Sequence, residues 1–112
     1  MNKEFDFDVL KQEINREIEV RGLEGIYYVL FNEKKRLPWA FHLFYRDGKF
    51  MVNARDERSY VIGKTAEFHR FEDAKEDFIA TLEKYVAVNI QGKALGIQPD
   101  YPSPLWDQTK EK

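Results

Sequence analysis

The sequence predicts an α+β domain in the order helix, four-stranded antiparallel meander, helix, and extended proline-rich tail. Three observations carry this. Apolar residues recur at helical spacing over residues 6–21 and again over 71–90, two strand-like runs meet at Asp47-Gly48 within residues 39–55, and Pro99, Pro102 and Pro104 crowd the end. At 112 residues the chain makes one domain, burying roughly two-thirds of its unfolded surface in a single core. Residues 1–92 hold that domain; residues 93–112 form the tail, partly docked, with 108–112 frayed.

Phe7, Leu10, Ile14 and Ile18 line up as the apolar stripe of the first helix. Asp6 or Asp8 can cap its start, and Gly22 can close its end in the left-handed conformation. Glu13, Glu17, Glu19, Lys11 and Arg16 fall off the stripe and read as a solvated face.

Residues 26–31 are continuously apolar, rich in aromatic and branched side chains, and bounded by Gly25 and the charged loop 32–36. That is a strand with neighbours on both sides, and either Tyr28 and Leu30 or Tyr27, Val29 and Phe31 face the core. Pro38 marks entry to the hairpin, where a missing N–H is tolerable. Asp-Gly suits a type I′ turn, which needs positive φ at both central residues. The register then pairs Arg46 with Lys49, Tyr45 with Phe50, Phe44 with Met51, Leu43 with Val52, His42 with Asn53 and Phe41 with Ala54.

Tyr60-Val61-Ile62 reads as a fourth short strand ended by Gly63, with residues 65–68 continuing as an edge segment. In the second helix Ala74, Phe78, Leu82 and Tyr85 make the stripe, flanked by Phe71, Ile79 and Val86. Glu72, Asp73, Glu76 and Asp77 crowd its first turns, where the helix dipole favours negative charge. The cap falls near His69 or Arg70, neither a good one. Tyr101, Leu105 and Trp106 are too apolar for a linker and dock across the sheet or the first helix.

Two helices cover one sheet face and leave the other open. On that outer face Phe44 and Met51 are ringed by His42, Arg46, Lys49, Asn53 and Arg55, the arrangement of apolar anchors and charged rim found in transient interfaces. His42, Phe44, Arg46, Met51, Asn53 and Arg55, with the adjoining loop Asp56, Glu57 and Arg58, are therefore the predicted partner-binding residues. The competing reading is that the tail, through residues 101–106, covers this patch.

Chemistry is poorly advertised. His42, His69 and the Asp56-Glu57 pair are the candidate acid-base groups, with no metal-ligand spacing, phosphate-binding glycine loop or nucleophile elbow. The sequence predicts no enzyme, no cofactor and no metal. Charge is balanced at net −2 without a basic stripe, which argues against nucleic acid as a partner. The absence of cysteine fits a reducing compartment. No leader pattern opens the sequence and no apolar run approaches the roughly 18 residues of a membrane span, so a cytoplasmic protein with no membrane partner is predicted. The aromatic fraction of 15% is high for so polar a chain and points to a sticky surface.

The run Asp56-Glu57-Arg58-Ser59-Tyr60-Val61-Ile62-Gly63-Lys64, then Phe68, Phe71-Glu72-Asp73-Ala74 and Phe78, resembles the immunity proteins of bacterial polymorphic toxin systems, most of all immunity protein family fifty-nine. The likeness spans residues 26–88, with the opening helix in the expected place. Arg70 stands where a capping Asp, Asn or Ser is usual, and the proline-rich tail has no counterpart in the pattern. The resemblance implies a cytosolic, non-catalytic antidote that binds and blocks a cognate protein toxin. From the residues alone, two alternatives stay open: a self-associating module that dimerises through the sheet face, and a small enzyme or ligand binder centred on His42.

Overall fold

In helix α1, Phe7–Val20, the Asp6 carboxylate accepts from the backbone N–H groups of Asp8 and Val9 at 3.1 and 3.4 Å, so Asp6 is the cap and Asp8 sits in the first turn. At the far end Gly22 takes φ 69°, while its N–H and that of Leu23 return to Glu19 and Ile18. A Cβ would disfavour that closure. The computed structural model describes residues 5–106; the fraying expected at 108–112 lies outside them.

Strands β1 (Tyr28–Leu30), β2 (Phe41–Arg46), β3 (Lys49–Arg55) and β4 (Val61–Phe68) form one sheet in sequential order. The β2–β3 hairpin has the register the sequence predicts, from Arg46 opposite Lys49 through Phe41 opposite Ala54. Asp47 and Gly48 both take positive φ, 55° and 80°, as the two-residue turn requires.

The expectation of an all-antiparallel sheet is overturned. β1 runs parallel to β2, with Tyr28 opposite Phe41 and Leu30 opposite Leu43, so the sheet is mixed. A parallel neighbour requires the chain to cross back over the sheet, usually through a dozen or more residues. Here residues 31–40 suffice, because a strand of 3 residues has to be retraced for only about 10 Å and this connector reaches at most roughly 33 Å. Phe31 and Trp39 take φ 55° and 65° at its two ends, held where the Phe31 N–H reaches Leu43 O at 2.7 Å and the Trp39 N–H reaches Asp56 O at 3.0 Å.

The core lies between the sheet and the helices. Leu30, Phe41, Leu43, Phe50 and Val52 pack against Ile14 and Ile18 of α1 and against Phe71, Ala74, Phe78 and Leu82 of helix α2, Phe71–Ala94. Tyr28 and Leu30 are thus the core side of β1, and Val29 stands on the opposite side beside His42. Each of these large side chains contributes about 1.5–3 kcal/mol by leaving water.

Helix α2 runs a turn past the predicted residue 90, and the Arg70 side chain at its start makes no capping hydrogen bond. Beyond it the chain returns along α2 to a 3-10 turn at Pro104–Trp106. Trp106 is fully buried, its indole N–H donating to Tyr101 O at 3.0 Å and its ring 5.6 Å from that of Tyr85. Tyr101 stacks on Tyr27 at 4.3 Å, and the Ser103 hydroxyl donates to Gly25 O at 3.1 Å. The stretch packs on the helix side, against α2 and the entry to β1, and leaves the outer sheet face to other residues.

Candidate partner-binding site

The outer sheet face is not open. Phe44 retains 3% of its surface, Met51 6%, His42 0%, Asn53 6% and Arg55 9%, which corrects the exposure predicted for all five. The crossover between β1 and β2 reaches onto this face, and neighbouring side chains cover the rest. Its Glu33 carbonyl accepts from the Arg55 guanidinium at 3.3 Å, and its Glu33 carboxylate pairs with Arg46 at 2.9 Å, both from side chains of this face. The Arg46 guanidinium also lies 5.5 Å over the Phe44 ring, and the Lys49–Glu67 ion pair runs beside Met51. Of the predicted binding residues, Arg46, Glu57 and Arg58 are exposed, with Asp56 half-buried. Arg46 adjoins the β2–β3 turn, at the opposite end of the strands from the other three.

What the fold exposes instead is the tip and outer strand of the β3–β4 hairpin. The Asp56 carboxylate accepts from the N–H groups of Arg58 and Tyr60 at 2.8 and 3.0 Å, which holds its pKa below the usual carboxylate range. The Asp56 N–H donates to Tyr60 O, and the Ser59 N–H to Asp56 O. Two guanidiniums brace the turn from behind: Arg55 donates to Ser59 O at 3.3 Å, and Arg36 from the crossover donates to Arg58 O at 2.8 Å while lying 5.6 Å over the Tyr60 ring. Among the described residues Arg55 has no carboxylate in hydrogen-bond contact; Asn53 Oδ1 and two backbone carbonyls accept from it, and burial pushes its pKa down.

Tyr60, Val61 and Ile62 follow in succession, 57%, 47% and 49% exposed. β4 is an edge strand, and its register slips between Val52 and Ala54, so that Gly63, Lys64 and Thr65 all stand against Asn53. A bulge of this kind twists an edge away from flat pairing with another sheet. The composite is a rigid projection carrying Tyr and Arg, the residue types that dominate binding hot spots.

Residues 7–107 match the sequence pattern of the family described as Immunity protein 59. The chain belongs to the Immunity protein 59 family. The match takes in both helices, the whole sheet and the proline-rich stretch that the sequence resemblance left unplaced. No curated protein matches the chain, and no solved structure does.

Among the described residues of the Immunity protein 59 chain, no groups gather at His42 for acid-base or metal chemistry. Both ring nitrogens are buried without a hydrogen-bond partner among the described residues, and burial together with the nearby Arg55 cation lowers the imidazole pKa to about 4. His69 lies exposed just before α2. Among the described residues no three His, Asp or Glu side chains converge as a metal site, and no helix is long and apolar enough to cross a membrane. Sequence reasoning missed Arg36, Tyr60, Val61 and Ile62 as surface residues. The available signal was that the last strand of a meander has a neighbour on one side only.

Proposed function

We propose that this protein neutralises a cognate bacterial toxin by binding it, without catalysis, and that the β3–β4 hairpin is the contact. Family membership supports the antidote role, and the braced, exposed hairpin supports the choice of surface. A loop held by the Asp56 carboxylate and two guanidiniums loses little conformational entropy on binding. Glu57, Arg58, Tyr60, Val61 and Ile62 are the proposed contact residues, with Asp56, Arg55 and Arg36 positioning them; Phe44, Met51, His42 and Asn53 act as the packed layer beneath.

The reading expects a toxin gene beside this one, and the test is co-expression with that toxin's domain, scored by cell survival and by co-purification. Wild type rescues growth and forms a stable complex. Tyr60→Ala and Ile62→Asp weaken it by about 2 kcal/mol each, roughly thirtyfold in Kd. Failure of the wild-type protein to protect or to bind would refute the antidote role, and unaltered binding by both variants would refute the surface.

A further inference from the structure

We infer that two copies of this chain pair through their β1 edges, antiparallel about a two-fold axis at Val29, into one continuous sheet. Among the described residues β1 has a strand neighbour on one side only. The Phe41 N–H donates to Tyr27 O, and the Phe31 N–H donates to Leu43 O. A trans peptide holds its C=O and N–H on opposite sides, so the Tyr28 N–H and the Leu30 carbonyl both point away from β2. Neither meets a hydrogen-bond partner among the described residues. The bulge that blunts an edge sits on β4, whereas β1 keeps an unbroken register and carries no charge or proline.

The charges flanking this edge are arranged to suit a second copy. α1 runs antiparallel beside it: the Phe7 ring lies 5.0 Å from that of Phe31, just past the end of β1, and Asn15 accepts from the Tyr28 hydroxyl at 2.6 Å, at its start. Lys11, Asn15 and Glu19 follow one another along α1, each about a turn from the last. With Asn15 and Asn32, Lys11 and Lys35 line the groove over β1, which makes the far end of the edge positive. Burial, then the charges of Glu24 and Glu19, raise the Tyr28 pKa, so negative charge lies at the near end. All four charged side chains are exposed.

A two-fold axis at Val29 lays the positive end of each copy on the negative end of the other, Lys11 against Glu19 of the partner subunit. The same axis sets Tyr28 opposite Leu30 of the partner subunit, a pairing that exchanges both main-chain hydrogen bonds. The β3–β4 hairpin stands at the other edge of the sheet and stays uncovered, so this inference is independent of toxin binding.

The experiment is sedimentation velocity of the full chain over a concentration series at low and high salt. The proteins compared are wild type, Lys11→Glu, Glu19→Lys, the Lys11→Glu/Glu19→Lys charge swap and Ile62→Asp at the opposite edge, each checked for an unchanged melting temperature. Wild type should form a dimer with a dissociation constant on the order of micromolar, as a small interface gives. Either single variant should weaken it by about tenfold or more at low salt, the swap should restore it to within about threefold, and Ile62→Asp should leave it unchanged. Hydrogen exchange of the wild-type Tyr28 and Leu30 amides, which needs no variant, should slow as the dimer forms.

A monomer at every concentration overturns the inference. So does a dimer that both single variants leave intact, one that the charge swap fails to restore, or one whose Tyr28 and Leu30 amides exchange as in the monomer. A dimer dissolved by Ile62→Asp would assign the contact to β4 and overturn it equally.

Discussion

Acidification destabilises this protein through His42 well before most carboxylates protonate. The imidazole is 0% exposed, has no hydrogen-bond partner among the described residues, and neighbours the Arg55 cation, itself hydrogen-bonded to the backbone of Glu33. Its pKa drops from 6.5 to about 4 on folding, so between those values the unfolded chain binds a proton that the folded chain refuses. Stability from this group is therefore complete above pH 6.5 and falls as the pH drops toward 4. The full interval corresponds to about 3 kcal/mol, and about 2 kcal/mol is lost by pH 5. For a chain of this size that lowers the melting temperature by about 10 °C. Other groups titrate as well, so the assay is urea unfolding from pH 7.5 to 4.5 for wild type and for His42→Leu, which keeps the volume and removes the titration. The gap between the two stability curves shifts by about 2 kcal/mol in favour of the variant on going to pH 5. A gap constant to within about 0.5 kcal/mol would show that the imidazole is solvated or paired in the folded state, and the burial argument would fail.

Three further outcomes follow from the packing. Trp106→Ala removes a fully buried ring and the hydrogen bond to Tyr101 O, and should cost about 3–5 kcal/mol, a melting temperature lower by about 15 °C, whereas Val20→Ala on the solvent side of α1 should stay within about 0.5 kcal/mol. In Gly25→Ala the new Cβ would lie 2.6 Å from Ser103 Oγ and 3.0 Å from Leu105 Cγ, so the 3-10 turn must shift. Denaturant melts should show a loss of about 1–3 kcal/mol that is non-additive with Ser103→Gly by more than about 0.5 kcal/mol. Asp56→Ala frees the N–H groups of Arg58 and Tyr60, and hydrogen exchange at those two amides should accelerate while the β2–β3 amides keep their protection; unchanged rates at both would mean the carboxylate does not brace the turn.

The sequence by itself determined what depends on neighbours along the chain. Asp47-Gly48 set the turn and, with it, the register of the β2–β3 hairpin, because the positive φ those residues tolerate leaves the strands little other way to pair. Asp6 and Gly22 were readable as the ends of α1 for the same reason: each acts on backbone groups within a few residues of itself. The direction of β1 was not readable. Its reversal is made at Phe31 and Trp39, two bulky residues in left-handed conformations that carry no turn signal and are held by partners far along the chain, Leu43 and Asp56. Only the tertiary structure decided that one parallel strand would bring its connector onto Arg46 and Arg55 of the outer face, and that His42, Phe44 and Met51 would be buried while Tyr60, Val61 and Ile62 stay in solvent. Alternation along a strand tells which side chains share a face, but whether that face meets water depends on which distant segment the sheet's connectivity lays over it.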